Sequence, residues 1–356
     1  MHGLAQCVKR LAMPRGATSD HRILVVGPSW VGDTVMAQCL LQALVARAPQ
    51  ASIDVLALAP LAPLLGRMPQ VATALPSPFG HRDFGLAQRI ALGRSLAGRY
   101  DAAYVLPGSW KSALIPFVAR VPKRCGYLRE ARWGLLNDIR ALPPTLKRKT
   151  AIAYQALAEP EVMTQPSLLR APSLTVDPQN QDRLLRSFGL SAGAFAAFVP
   201  GAEFGPAKRW PVRHWIALAE RLNRLGLPAV LFGAKNDGPI GRQIAEAGAS
   251  VLDLTGRTRL EDAIDLIAAA RFAVTNDSGL MHVAAAVGCK VVAVYGSTSP
   301  EDTPALSQSA RFATLGLSCS PCRERTCPLG HLDCLEKLDT AQVMRLLAEV
   351  DSTLAA

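Results

Sequence analysis

Residues Phe272–Pro300 read FAVTNDSGLMHVAAAVGCKVVAVYGSTSP. The apolar run Phe272–Thr275 predicts a buried strand, Asn276-Asp277-Ser278-Gly279 a polar turn, Leu280–Val287 an alanine-rich helix and Lys290–Tyr295 a second strand. Strand, turn, helix, strand with small residues at the helix start is the arrangement by which open α/β sheets bind phosphate. The unpaired N–H groups of the first helical turn and the positive end of the helix dipole both point at the anion. Gly279 allows a ligand to approach the backbone closely. A nucleotide or another phosphorylated ligand is expected here.

The same alternation extends outward from this unit. Upstream lie an expected strand at Ala196–Pro200, a helix at Pro211–Leu225, a strand at Ala229–Gly233, a helix at Gly241–Ala247, a strand at Val251–Asp253 and a helix at Leu260–Ala269. Thr340–Leu354 reads as a terminal helix. A separate alternation occupies the first half: Ile23–Gly27, a helix near Thr34–Ala48, Ile53–Leu58, and Tyr104–Pro107 after a helical segment ending near Arg99. Between the halves, EPEVMTQPSLLRAPS (159–173) holds three prolines and suits a linker. The pattern predicts an α/β protein of two Rossmann-like domains, 22–165 and 166–340. A tail (1–21) precedes them and a C-terminal helix (341–356) follows, and the ligand would sit in the cleft at the carboxyl ends of both sheets.

No run approaches the roughly 18 apolar residues of a membrane span. The first residues carry Lys9, Arg10, Arg15 and Asp20 without an apolar core and do not read as a secretory signal. The net charge of +11 is uneven. Residues 1–170 hold 21 Lys and Arg against 9 Asp and Glu, whereas the remainder is near neutral. Such a half suits an anionic partner, or simply presents a solvated basic face. Eight cysteines are present. Reduced thiols are expected, with Cys7, Cys39, Cys125 and Cys289 as small core or tail residues.

Four places could carry chemistry. Asp33, in the first strand-to-helix turn, faces the cleft as a general base or serves as a helix N-cap. That turn lacks GxGxxG, so no dinucleotide fingerprint is present. Lys208, in the shaped loop PGAEFGPAKRWP (Pro200–Pro211), could give a point charge to a phosphate; alone it reads equally as a solvated lysine. In the third cluster, backbone N–H groups and Ser278 can hold a pyrophosphate, Asp277 is placed to cap the turn, and His282 lies one helical turn beyond Ser278. The alternative for His282 is a packed core histidine. Cys319, Cys322, Cys327 and Cys334, with His331 nearby, are compatible with thiolate zinc, but the spacing is irregular and packing or redox-labile thiols fit as well.

Three stretches carry a family resemblance: GPSWVGDTVMAQ (Gly27–Gln38), PGAEFGPAKRWP (Pro200–Pro211) and NDSGLMHVAAA (Asn276–Ala286). Together they resemble the lipopolysaccharide heptosyltransferases of glycosyltransferase family 9, closest to the type II members, from about Arg22 to the terminal helix. The resemblance implies a GT-B architecture and metal-independent, inverting transfer of L-glycero-D-manno-heptose. The donor would be ADP-heptose, with no cofactor, and the acceptor the first heptose of the inner core on Kdo–lipid A. It implies Asp33 as catalytic base and Lys208 on the donor phosphate. Asp277, Ser278, Gly279, Leu280 and His282 would form the donor loop. The acceptor would be an anionic, lipid-linked oligosaccharide, and the enzyme cytoplasmic and peripheral at the inner face of the inner membrane. Lys111, Lys123, Arg124, Arg129 and Arg132 are expected to contact acceptor anions or that surface. No function carries over to the cysteine cluster.

Other readings are a family 9 enzyme with another acceptor, such as a type I heptosyltransferase, a non-catalytic nucleotide-sugar sensor, and a nucleic-acid binder. The basic half lacks the aromatic interleaving of stacking platforms, which argues against nucleic acid. Asp33 in the expected turn argues against a sensor.

Overall fold

The computed structural model describes residues 21–80, 83–247 and 250–354. The expected tail over 1–21 therefore lies, apart from His21, outside the described residues. Two six-stranded sheets organise the chain, each parallel throughout. The first comprises β1 (Arg22–Val26), β2 (Ser52–Leu58), β3 (Thr73–Ser77), β4 (Ala102–Val105), β5 (Lys123–Tyr127) and β6 (Asp138–Arg140) in the order β3-β2-β1-β4-β5-β6. The second comprises β7 (Ala196–Val199), β8 (Ala229–Leu231), β9 (Val251–Asp253), β10 (Phe272–Asn276), β11 (Val291–Val294) and β12 (Ala310–Ala313) in the order β12-β11-β10-β7-β8-β9. Numbered within its own half, the second order is the first, and it is the doubly wound order with its reversal at the central pair. That reversal falls at β1/β4 and at β7/β10, the strands that feed the turns singled out above.

Helices Val31–Arg47 (α1), Leu86–Ser95 (α2), Trp110–Val118 (α3) and Thr150–Gln155 (α4) clothe the first sheet. Helices Pro178–Phe188 (α5), Val212–Arg224 (α6), Gly238–Ala245 (α7), Leu260–Ala269 (α8), Gly279–Ala286 (α9) and Thr340–Val350 (α10) clothe the second. Helix α10 stops at Val350 rather than at Leu354. It packs into the second domain, where Val343, Met344 and Leu347 join the core of Trp210, Trp215 and Phe272. The linker is pinned rather than loose. It forms short 3₁₀ turns at Pro160–Met163 and Pro166–Leu168, and Gln38 Nε2 donates to Ser173 O at 2.7 Å while Cys39 Sγ donates to Arg170 O at 3.0 Å. We propose the domain boundary at 165/166, between these turns.

One apolar cluster spans both domains, joining Val25, Leu40 and Leu157 of the first to Ile264, Val283 and Ala286 of the second. Arg67 reinforces it through a 2.6 Å ion pair with Asp265, whose side chain is fully buried. The two halves are thereby set at a defined distance before any ligand is considered.

Candidate active site

A cleft of about 720 Å³ opens between the domains, within the range of small-ligand sites. Ser29–Asp33, Met36 and Leu58 line one wall; Gly201–Phe204, Lys208, Asp237, Asp277–Leu280, His282 and Arg325 line the other. All these segments follow the carboxyl ends of strands, and all but the one bearing Arg325, which follows the edge strand β12, leave strands at or beside the switch points.

Helix α1 starts at Val31, three residues earlier than expected, with Trp30 extended at the N-cap (φ −109°, ψ 144°). Asp33 is therefore not the cap. It occupies the first helical turn with its carboxyl in the cleft wall. Burial raises its pKa from 3.8 to about 6, and the nearby Lys208 charge opposes part of that rise. A carboxylate poised there is a competent base near neutrality.

Opposite, Ser278 caps α9 in extended backbone (φ −145°, ψ 172°) without a side-chain cap bond. Its buried Oγ has no hydrogen-bond partner among the described residues. A buried unpartnered hydroxyl at a helix start, beside the unpaired N–H groups of the first turn, has the chemistry to hold an anion. Asp277 is drawn away from the cap. Its Oδ2 accepts from Lys208 Nζ at 2.6 Å and from Thr298 Oγ1 at 2.5 Å. Asn276, buried on β10, connects the loops by donating to Pro200 O (2.6 Å) and accepting from Trp210 N (3.0 Å). This is how Lys208 and Asp277, 69 residues apart, come to meet. The cations of Lys208 and Arg325 both approach the Phe204 ring, 4.9 and 5.0 Å from its centroid.

His282 is buried, and burial lowers its pKa to about 4, so it is neutral at physiological pH. Its ring packs on Gly32: a Cβ there would lie 2.8 Å from His282 Cδ2. A Cβ on Gly279 would in turn lie 2.9 Å from Val31 Cβ and 3.2 Å from Gly32 N. Helices α1 and α9 thus meet start to start, and only glycine fits at either position. Leu280 lines the cleft and packs against the shared core.

The five basic candidates separate. Lys111 lines a second cavity of about 280 Å³ that adjoins the cleft through Ser29, and Nζ donates to Asp83 O at 3.2 Å. Arg129 is exposed on the loop after β5, its Cδ 2.8 Å from where a Cβ on Gly108 would stand. Lys123 and Arg124 open β5, at the sheet end remote from the cleft. Lys123 pairs with Asp138 at 3.5 Å, and Arg124 Nε donates to Leu135 O at 2.7 Å. Arg132 is a correction: 1% exposed, it donates to Pro107 O at 2.7 Å and to Tyr127 O, so it braces a loop rather than meeting a ligand.

Cys319, Cys322 and Cys327 are half-buried and Cys334 buried, all as free thiols. Among the described residues, no three or more His, Cys, Asp or Glu side chains are placed to hold a metal ion. Cys39, Cys125 and Cys289 are buried, as expected of core residues; Cys7 lies outside the described residues. Reasoning from sequence missed Thr298, Phe204, Arg325 and Asp237. Thr298 and Phe204 fell inside quoted stretches, but nothing local marks a threonine or a phenylalanine as a partner of distant charges.

Two facing doubly wound domains, with a cleft between them at the carboxyl ends of both sheets, define the GT-B architecture. The sequence profile of Glycosyltransferase family 9 (heptosyltransferase) matches residues 89–333, and the chain belongs to that family. It is 47% identical over 262 residues to lipopolysaccharide heptosyltransferase 2 of Escherichia coli K12, covering 70% of this chain and 75% of the relative. It is 45% identical over the same length, with the same coverage, to the protein of that name from Salmonella typhimurium. Among solved structures it resembles E. coli ADP-heptose LPS heptosyltransferase II, with TM-score 0.82, 41% identity and coverage of 94% of this chain and 100% of that one. A family 9 glycosyltransferase from Veillonella parvula shares the fold at TM-score 0.78 and 19% identity, covering 93% and 97%.

Proposed function

We propose that this chain transfers L-glycero-D-manno-heptose from ADP-heptose onto the first heptose of the lipopolysaccharide inner core, with inversion. The observation that carries the reading is the half-buried Asp33 carboxyl, its pKa raised to about 6, in one cleft with the unpartnered Ser278 hydroxyl at the start of α9. The names of the relatives support ADP-heptose as donor and lipopolysaccharide as acceptor, and the first heptose as the attacked sugar is what the type II resemblance implies.

In this mechanism Asp33 takes the proton of the attacking acceptor hydroxyl. That oxygen bonds to the anomeric carbon as the bond from that carbon to the phosphate oxygen breaks on the opposite face. ADP departs with the electron pair. The Ser278 hydroxyl and the N–H groups from Gly279 onward receive the pyrophosphate, and Lys208 shares its charge between Asp277 and the leaving group. Leu280 closes the apolar side of the seat. His282, neutral and packed on Gly32, holds the start of α1 and with it Asp33. The lysine and the helix start together supply the positive charge a metal would otherwise bring, so chelator should leave the rate unchanged. On the acceptor side, Lys111 in the adjoining cavity and Arg129 at its rim are the candidate contacts for acceptor anions. A lipid-linked acceptor places the enzyme at a membrane surface, on the cytoplasmic side. Among the described residues, no helix is long and apolar enough to cross a membrane.

The test is ADP release from ADP-heptose with inner-core acceptor carrying one heptose, beside acceptor carrying none. Release with the one-heptose acceptor alone is expected. Release with the heptose-free acceptor would assign the type I reaction, and release with neither would remove heptose transfer.

A further inference from the structure

Arg325 is the cation of the cleft that no carboxylate holds. The carboxyl groups of Asp33, Glu203, Asp237 and Asp277 line that space, against the two cations of Lys208 and Arg325 and a neutral His282. Lys208 is committed to Asp277 at 2.6 Å, so the pair presents little net charge to a ligand. Arg323, two residues away, is likewise paired, with Asp302 at 3.0 Å. Arg325 is exposed and forms no ion pair among the described residues. An anion entering this cleft meets more carboxylates than cations, and Arg325 is the cation left to receive it.

The main chain fixes where Arg325 stands. It lies on the loop between β12 and α10, and that loop is tied to both groups that hold Asp277. Ala207 N, one residue before Lys208, donates to Arg325 O at 3.1 Å. Arg323 N donates to Ser297 O at 2.6 Å, next to Thr298, and Ser320 Oγ donates to Gly296 O at 2.7 Å. A Cβ on Gly205 would lie 2.5 Å from Arg325 O, so a glycine in PGAEFGPAKRWP is what lets the two loops touch. The side chain is left to meet a ligand. Nη1 donates to Phe204 O at 3.1 Å, and the remaining N–H groups of the guanidinium have no partner among the described residues. Because the Arg325 and Lys208 cations approach one ring, they lie no more than about 10 Å apart. A planar guanidinium fork matches the oxygens of a phosphate, and the ring keeps it oriented at small entropic cost.

We propose that Arg325 binds the diphosphate of the nucleoside-diphosphate donor, as a second cation beside Lys208. The inference rests on the reading of a nucleotide-sugar donor and deepens it. Lys208 is partly neutralised by Asp277, and Arg325 supplies the full positive charge that the departing diphosphate needs.

The experiment is calorimetric titration of ADP into the full chain, without acceptor, for wild type, Arg325→Gln and Arg325→Lys. Arg325→Gln should weaken ADP roughly 10- to 30-fold and flatten the dependence of affinity on salt, because a charge-assisted contact to phosphate is lost. Arg325→Lys keeps the charge without the fork and should fall between the other two. The KM for ADP-heptose should rise with the ADP dissociation constant, while the KM for the acceptor stays within about twofold. Thermal melts should coincide, since the loop is tied through the main chain of Arg325 and not through its guanidinium. Unchanged ADP affinity in Arg325→Gln would overturn the proposal. So would Arg325→Lys as weak as Arg325→Gln, because the side chain would then act by shape, as a prop for Phe204. A raised acceptor KM with ADP affinity unchanged would move Arg325 to the acceptor side and overturn it as well. Loss of ADP affinity in a protein that transfers no heptose would leave Arg325 on the diphosphate and remove the proposed reaction.

Discussion

The two domains share one strand order and differ in almost everything else. The C-terminal domain is near neutral, and its polar site residues are held by one another: Lys208 to Asp277, Thr298 to Asp277, Asn276 to both loops. The N-terminal domain is strongly basic, yet its cleft wall presents a single acid, Asp33, and most of its cations lie elsewhere. The same topology therefore serves two electrostatic tasks. One half builds a fixed network of polar side chains around a helix start. The other half-buries one carboxylate in the cleft wall and leaves most of its positive charge to the outside.

The hardest test of this division is Asp33→Asn. It should lower kcat by about 1,000-fold while leaving ADP affinity within about twofold, because the base and the anion seat belong to different domains. An equal loss of ADP affinity would erase the distinction. Nearly as large is the effect on stability. The folded pKa of about 6 lies above the ordinary 3.8, so the charged carboxylate destabilises the fold above pH 6 and costs nothing below pH 3.8. In denaturant titrations, Asp33→Asn should therefore be more stable than wild type by about 3 kcal/mol well above pH 6, with the gap closing as pH falls toward the ordinary value. The same shift predicts that log kcat/KM of wild type rises with unit slope below about pH 6 and levels above it. A gap that widens on acidification would reverse the sign and disprove the buried-base reading.

A smaller effect sharpens how the halves are set against each other. Gly32→Ala places a methyl against His282 at 2.8 Å and should drive α1 from α9. We expect about a 100-fold loss in kcat/KM, the scale of a one-ångström misplacement, although Gly32 brings no reactive group. The smallest effects separate buried from surface cations in the basic half. Arg132→Met should cost about 2 kcal/mol by leaving the Pro107 and Tyr127 carbonyls without their donor, whereas Lys123→Gln should stay within about 0.5 kcal/mol. Thermal melts of the two variants side by side decide this.

The C-terminal half was the more legible, and for a physical reason. Phe272–Thr275 and Val291–Val294 are central strands buried on both faces, so they read as unbroken apolar runs. The strands that sequence reading did not mark are edge or near-edge ones with mixed faces: Thr73–Ser77 contains Pro76, Lys123–Tyr127 begins with two cations, Asp138–Arg140 has three residues and Ala310–Ala313 is half-buried. The helix at Trp110–Val118 contains Pro116, which hides it from a periodicity reading. At the site, the residue types of the donor loop announced an anion seat, because small residues before a helix have few other uses. The basic residues 111–132 could not be sorted the same way. Whether an arginine faces water, as Arg129 does, or braces a buried loop, as Arg132 does, depends on where carbonyls such as that of Pro107, 25 residues away, come to rest.

The meeting of Gly32 and Gly279 bears on how such a site tolerates change. The separation between Asp33 and the start of α9 is gauged by two β-carbons that are not there. Neither position offers a proton, a charge or a hydrogen-bonding side chain, so a survey for reactive chemistry passes over both. Yet a methyl group at either would act as a wedge between the domains, and a variant enzyme could keep every functional group it needs and still be unable to bring them within reach of one another.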